Sequence, residues 1–545
     1  MSTGRDAVGS ARGPAPRTRQ VVIGLDVGTT AAKAVAFPTG AGPRVIASQE
    51  YPLVRPRPGW RVQDPEAVLS AVDTVLSGVT EQLGGTPVAA VSISTAMHGL
   101  IGLDPERRPL TPILTWADAR ARDEARELRS SPLAAELHGT LGTPLHSMSP
   151  LTKLLWFARH EPDLTAAVTT WAGLKDLVVH ALTGRVVTEL SSASGTGLLS
   201  VPDRTWDPFA LDLAGVRRDQ LPGVLPTTTA LPLSAEAACR TGLPAGVPVV
   251  LGAGDGPLGN LGTGALRPGV AGLSLGTSGA LRLVVDEPFA DADGRLFCYA
   301  LTDDHWVVGT PISNGGAVVR WAGSLLAADV PGGADRDAQV LALAGGVPPG
   351  SEGLVMLPFL LAERGPLWDA DVRGAFLGLR QHHTRGHFVR AAVEGVAFQL
   401  ATILDGLDAV QPVTSIRATG GVFRAPLWRE VLGGVLGRPL VVTAGAEGSA
   451  LGAAALGWYA VGGASTLEGA LEDLSPGLLD TDPAGADAIV ASPSEVDAYR
   501  AARQSAVGRL RELSASAELL AGPSRPRVAA EPATTSATRS ATSGN

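Results

Sequence analysis

Lysine is nearly missing from this chain: of its 44 basic residues, only Lys33, Lys153 and Lys175 are lysine, and arginine holds the other positions. Cysteine is as scarce, with Cys239 and Cys298 alone. Two distant cysteines exclude a disulfide framework and a Cys-x-x-Cys metal site, and they suit a reducing cytoplasm. There is no excess of positive charge either, since 53 acidic residues outnumber the basic ones and the formal net charge is -9. No basic field is present to concentrate nucleic acid or anionic lipid. No run of about 18 apolar residues stands out, so no membrane span is expected. The first twenty residues carry Arg5, Arg12, Arg17 and Arg19 among Gly, Ala and Pro, without the apolar stretch of a signal peptide.

What is present suits a two-domain enzyme. A chain of 545 residues exceeds what one hydrophobic core supports, which stops growing near about 250 to 300 residues. The ends, 1–18 and 516–545, are rich in Ala, Pro, Ser, Thr and Gly and are expected to be disordered tails. Between them strand and helix patterns alternate. Val21 to Leu25, Lys33 to Phe37 and Arg44 to Ser48 read as a three-strand meander. Asp64 and Pro65 then open a helix with an apolar face of Val68, Leu69, Val72, Val75 and Leu76, and Val88 to Ser94 reads as a buried strand. The theme recurs later: Val270 to Leu275, Ala280 to Val285 and Trp306 to Gly309 read as strands, and Gly386 to Leu407 as a long helix. The Pro-rich stretch from Leu221 to Pro248 divides the repeats, giving domains at 19–250 and 251–515.

Two strand ends are built alike. Val21 to Val27 runs into Gly28-Thr29-Thr30, and Val270 to Leu275 into Gly276-Thr277-Ser278. Glycine lets backbone amides approach an anion, and the hydroxyl adds a donor, so each turn is a phosphate-binding candidate. Asp26 stands before the first turn. It either caps that turn or holds Mg2+, which prefers hard oxygen ligands. Lys33, just past the turn, is within reach of a nucleotide phosphate. In Gly252-Ala253-Gly254-Asp255-Gly256 a glycine-flanked loop follows an apolar strand. Asp255 is there either a turn residue or a base that takes the proton of an attacking hydroxyl.

Met148 to His160 (MSPLTKLLWFARH) and Gly374 to Glu394 (GAFLGL, then HFVRAAVE) resemble the two signatures of the FGGY family of carbohydrate kinases. With the paired turns and the Asp255 loop in the same order, the resemblance spans about residues 20 to 500. It implies an α/β fold of the actin/hexokinase type, with two duplicated ribonuclease-H-like domains around a catalytic cleft that closes on sugar and ATP. Within the family, Ser94 to Leu100, Leu114 to Arg120, Gly142 to Pro150 and Phe297 to Thr302 are most similar to the gluconate kinases. Xylulose and glycerol kinases are the nearest alternatives, and a nucleotide-binding sensor without sugar transfer is an alternative from another class.

The resemblance also implies roles. Asp255 would be the catalytic base. Met97, His98, Trp116 and Gly256 would line the sugar pocket, with His98 otherwise a core histidine. Asp118 and Arg120 would either bind hydroxyls or pair with each other. Lys153, Arg120 and His146 are the expected partners of a substrate carboxylate, Lys153 being otherwise a contact between helix and loop. Thr29, Thr30 and Lys33 would meet the ATP phosphates from one domain and Gly276 and Thr277 from the other, with Mg2+ near Asp26. Gly316, Gly420 and Gly421 would let the nucleotide lie close to backbone. A sugar or sugar acid and ATP are thus the expected partners, without nucleic acid or membrane and with a homodimer left open.

Overall fold

A computed structural model of the chain describes residues 20–514 apart from 41, 43, 292, 334–335, 444–446 and 481–487. The tails expected at 1–18 and 516–545 lie outside the described residues.

Two sheets organise the molecule. The first contains β1 (Val21–Val27), β2 (Ala31–Pro38), β3 (Val45–Glu50), β4 (Val88–Thr95), β5 (Ala230–Pro232) and β6 (Pro248–Gly254), in the order β3-β2-β1-β4-β6-β5. The second contains β7 (Val270–Leu275), β8 (Gly279–Val285), β9 (Phe297–Ala300), β10 (Trp306–Ile312), β11 (Ser415–Thr419), β12 (Leu440–Val442) and β13 (Ala488–Ile489), in the order β9-β10-β8-β7-β11-β12-β13. With β9 set aside as an extra edge strand, the two orders superimpose, β1 on β7 and β4 on β11. In each sheet the first two strands pair antiparallel, and a later strand adds parallel to the first. The duplication expected from the strand-rich openings of both halves is therefore a duplication of topology.

The helices that matter to the site are α1 (Pro65–Leu83), α2 (Pro150–His160), α3 (Leu174–Thr183), α4 (Asp255–Gly262), α5 (Arg385–Val410) and α6 (Gly448–Ala460). Asp64 caps α1 by accepting the Glu66 amide, and Gly84 ends it in the left-handed region at φ 56°. Its buried face of Val68, Val72, Val75 and Leu76 packs with α3 on one side of the first sheet, against Ile23 and Leu25. Each such side chain contributes roughly 1.5–3 kcal/mol of burial.

Side chains alternate along a strand, so Val22, Gly24 and Asp26 face the other side. There α6 lies almost on the backbone: a Cβ on Gly24 would stand 1.9 Å from the Ala450 carbonyl oxygen. The same helix meets α4 at glycine, where Cβ atoms on Gly262 and Gly452 would strike the Gly448 and Leu258 carbonyls. The small residues of α6 thus clamp β1 against α4.

The helix expected over Gly386 to Leu407 is α5. Among the described residues it is the one helix long and apolar enough to cross a bilayer, and 83% of its apolar window is buried inside the protein. The cut expected at residue 250/251 falls inside β6, which pairs parallel with β4. The Pro-rich stretch yields two short strands and the short helix Ala235–Thr241, so the apolar run Val249-Val250-Leu251 is needed to complete the first sheet, and the chain crosses to the second sheet only after α4.

Candidate active site

Parallel register brings the chemistry together. In the first sheet Asp26 aligns with Ser94, and Ser94 with Ala253, so the carboxyl ends of β1, β4 and β6 finish side by side. In the second, Ser274 aligns with Thr419, which places the Gly276 and Gly420 turns next to each other. Crevices outside the carboxyl ends of parallel strands are where open α/β sheets bind ligands. Two cavities occupy this region, one of about 720 Å3 and one of about 390 Å3. Asp255, Gly256, Ser274, Arg282, Thr419 and Gly420 line both, so the cavities meet at Asp255.

Asp255 opens α4 directly after β6, and the backbone there admits no other residue at key points. Gly252 sits at φ 71°, where a Cβ would stand 1.9 Å from the Ile93 carbonyl oxygen, and a Cβ on Gly254 would enter Met97. The backbone amides of Gly256 and Met97 donate to the Asp255 carboxylate. Even so, burial raises its pKa above the ordinary carboxylate range, with Arg282 opposing. Asp26 lines the larger cavity and accepts 2.8 Å from Ser94 Oγ. Burial, then the charge of Asp255, pushes its pKa up to about 6. Lys33 stands directly across from Asp26 in the antiparallel register, so the two side chains share a face, and its charge draws that pKa down.

The smaller cavity is lined by Thr29, Met97, His98, Trp116, Gly256 and Gly276 from among the expected residues. His98 Nδ1 lies 2.7 Å from the Gly195 carbonyl oxygen, which can only accept, so Nδ1 carries the proton and Nε2 is left as an acceptor. Burial holds the ring neutral, with its pKa pushed down to about 3. Trp116 Nε1 donates 2.9 Å to Thr29 Oγ1, tying this wall to the first Gly-Thr turn. That turn is pinned from its carbonyl side, as Gln63 Nε2 donates to the Gly28 and Thr29 oxygens and the Tyr51 hydroxyl to Gly28. The larger cavity takes Gly420 and Gly421 with Phe423, Val442 and Leu478 as apolar surface. Gly420 has φ 128°, and a Cβ there would stand 1.9 Å from the Leu275 carbonyl oxygen. Arg424 also lines it.

Other expected residues line neither cavity. Lys153 is fully buried on α2, and its ammonium donates 2.7 Å to the His98 carbonyl and 2.9 Å to that of Thr115. It holds the pocket loops from behind, and burial lowers its pKa to about 7. Arg120 and Asp118 pair with each other through two hydrogen bonds of 2.8 and 3.0 Å, and the guanidinium lies 3.6 Å over the Trp60 ring. These two geometries correct the expectation that Lys153 and Arg120 reach a substrate carboxylate: both cations are already committed. His146 is buried behind the pocket, its Nδ1 accepting from the Met148 amide at 3.2 Å while Nε2 has no partner among the described residues. Thr30 is exposed, and its carbonyl accepts from the Tyr51 amide. Thr277 is exposed, with Oγ1 accepting 2.6 Å from Arg320. The Gly316 amide donates 2.7 Å to the Gly276 carbonyl, so Gly316 braces the second turn rather than facing the cavity.

Sequence reasoning missed three groups. Lys175, noted only as a retained lysine, is buried beneath the site, where its ammonium donates to the carbonyls of Ile93, Leu251 and Ala253 at 2.6–3.0 Å. It ties the ends of β4 and β6 together under Asp255. Arg282 and Arg364 line the smaller cavity with Tyr299. The available signal was Arg282 itself, a lone arginine inside the apolar strand Ala280 to Val285. The signature of Gly374 to Glu394 lines neither cavity: Gly374 to Arg385 is exposed or half-buried, and the remainder enters the core of the second domain in α5. Glu394 there accepts from the Gly350 amide and the Ser351 hydroxyl and pairs with Arg390 at 3.0 Å.

Known proteins share this fold. The N-terminal domain pattern of the FGGY family of carbohydrate kinases matches residues 21–262, and its C-terminal domain pattern matches 271–461. The chain is 38% identical over 449 residues to the gluconokinase of Bacillus subtilis (strain 168), covering 81% of this chain and 88% of that protein. It is 32% identical over 448 residues to the xylulose kinase of Escherichia coli (strain K12), covering 80% and 89%. The crystal structure of gluconate kinase from Lactobacillus acidophilus superposes with a TM-score of 0.84 at 32% identity, over 91% of this chain and 99% of that one.

Proposed function

This chain belongs to the FGGY family of carbohydrate kinases, and from that we propose that it phosphorylates D-gluconate at its terminal hydroxyl with ATP, giving 6-phosphogluconate. The observation that carries the reading is the meeting of a sugar-sized and a nucleotide-sized cavity at one buried carboxylate, Asp255. The choice of acid rests on the gluconokinase relatives.

In this reading the sugar acid occupies the smaller cavity against Met97, His98 and Trp116. His98 Nε2 accepts from a substrate hydroxyl, and Trp116 covers the carbon chain. ATP occupies the larger cavity, with its adenosine on the Gly420-Gly421 loop and its terminal phosphates toward the Gly-Thr turns. Asp255 takes the proton of the terminal hydroxyl as that oxygen bonds to the γ-phosphorus, and the bond to the β,γ-bridging oxygen breaks to release ADP. Its raised pKa makes it a better base than an exposed carboxylate. Two carboxylates facing one cavity, Asp26 with a pKa near 6, also fit a cation. Asp26, directly or through water, would hold Mg2+ there, which neutralises charge on the phosphate oxygens. The reaction would take place in the cytoplasm, where the free thiols of Cys239 and Cys298 stay reduced.

Replacing the base tests the assignment. Asp255→Asn should lower kcat for gluconate by roughly 10²- to 10⁴-fold while ATP still binds, and full sugar-dependent transfer by the variant would sink it. A substrate panel with coupled ADP detection tests the sugar: turnover of xylulose comparable with a good kinase, and none of gluconate, would move the chain to the xylulose kinases it also resembles.

A further inference from the structure

Beside His98 and Trp116 the smaller cavity is lined by cations to which the reading above assigns no role. Arg282 enters from β8 and Arg364 from the connection between the strands Val355–Leu357 and Ala375–Leu377, both half-buried, and Tyr299 enters from β9 with 2% of its surface exposed. Neither guanidinium forms an ion pair within the ion-pair distance of 4 Å among the described residues. The nearby carboxylates are spent on other donors. Glu363 accepts from the Ser313 and Arg364 amides and from Asn314 Nδ2 at 2.7–2.8 Å, and Asp255 accepts from backbone amides.

Polar atoms here also lack partners. Arg282 Nε and the Tyr299 hydroxyl have no hydrogen-bond partner among the described residues. Among the described residues the sole hydrogen bond of the Arg282 guanidinium is 3.4 Å from Nη1 to Ser274 Oγ. Arg364 is held more firmly, by Nε to Ser313 Oγ at 3.2 Å and Nη2 to the Ile312 carbonyl at 2.9 Å, with its guanidinium 4.7 Å from the Trp116 ring centre. Burying unpaired donors and unpaired charge is costly unless a ligand completes them. A guanidinium edge offers two parallel N–H groups, the pattern a carboxylate accepts.

We propose that Arg282, Arg364 and Tyr299 form the recognition site for the substrate's carboxylate, making this wall the element that selects a sugar acid over a neutral sugar. The inference rests on the reading of the smaller cavity as the sugar site. Position argues against the nucleotide as the anion held by Arg364 and Tyr299, which line the smaller cavity alone, while Arg282 borders both cavities and the larger one has further cations in Arg44, Arg424 and Arg429.

The test is calorimetric titration of the full chain, without nucleotide, using D-gluconate and its uncharged counterpart D-glucitol, for the wild type and for Arg282→Met, Arg364→Met and Tyr299→Phe. Each arginine variant should weaken gluconate by about ten- to hundredfold and Tyr299→Phe by a smaller factor, with glucitol affinity unchanged. Unchanged glucitol binding also shows that the variants are folded. If both arginine variants keep wild-type gluconate affinity and lose only kcat, or if glucitol weakens as much as gluconate, the carboxylate site is overturned while the kinase reading stands. A wild type that binds neither gluconate nor another sugar acid overturns the substrate reading and this site together.

Discussion

At the scale of single residues, the retained lysines show how one chemistry serves different tasks. Lys33 faces Asp26 across the strand pair, whereas Lys153 and Lys175 are buried ammonium groups that gather backbone carbonyls. A compact ammonium donates in three directions and suits such clusters better than a planar guanidinium. That use was not legible in sequence, because a lysine beside a functional loop reads the same whether it faces the ligand or props the loop from behind. Asp26 carries a cost that can be measured. In the unfolded chain its proton leaves near the ordinary value of 3.8, and in the folded protein near 6, so between those values the native state binds the extra proton. Stability therefore falls as pH rises through that window and stays reduced above it. Asp26→Asn should raise Tm at pH 8, by on the order of 2 kcal/mol of stability, with little gain at pH 4, while activity is lost. A variant equally stabilised at both pH values would remove the carboxylate from this account. The raised pKa of Asp255 has the matching kinetic sign: kcat/KM should fall with decreasing pH along a limb lying above the ordinary carboxylate range.

At the scale of elements, α6 explains how residues from late in the chain complete the first domain. The run Gly448 to Ala460 is rich in small residues suited to close packing. In the fold it holds β1, and hence Asp26, against α4, and hence Asp255, through backbone contacts that allow no Cβ. Gly24→Ala would put a methyl group into the Ala450 carbonyl and should cost about 3 kcal/mol, read as a shift in the denaturation midpoint. Gly139→Ala, in the helix Ala134–Leu141 with open space around it, should be neutral or stabilising by about 0.5–1 kcal/mol. Equal effects of the two substitutions would mean that contact with α6 does not fix β1. The strands, by contrast, were legible, because β1, β2, β7, β8 and α1 announce themselves by period and caps.

At the scale of the molecule, the site belongs to neither domain alone. Asp26 and Asp255 come with the first sheet, and Arg282, Thr419 and Gly420 with the second, so the larger cavity is walled by both halves. Closure around both ligands would exclude the water that otherwise hydrolyses ATP. Small-angle scattering should therefore record a smaller radius of gyration with gluconate and a non-hydrolysable ATP analogue together than with neither. An unchanged radius under saturating ligands would mean that the cleft works without closing.

The sequence by itself determined the duplicated strand openings, the two Gly-Thr turns, the Asp255 loop and the family, because periodicity, glycine placement and long motifs are properties of neighbours along the chain. Tertiary structure decided which cations line the cavities. Direction is set by register and by contacts hundreds of residues apart, such as Arg364 over Trp116 or Lys153 beneath His98. It also settled the two turns as unequal partners. The first ends beside Asp26 and the second beside Ser274, so the carboxylates gather on one side of the cleft and the guanidinium groups of Arg282 and Arg364 on the other.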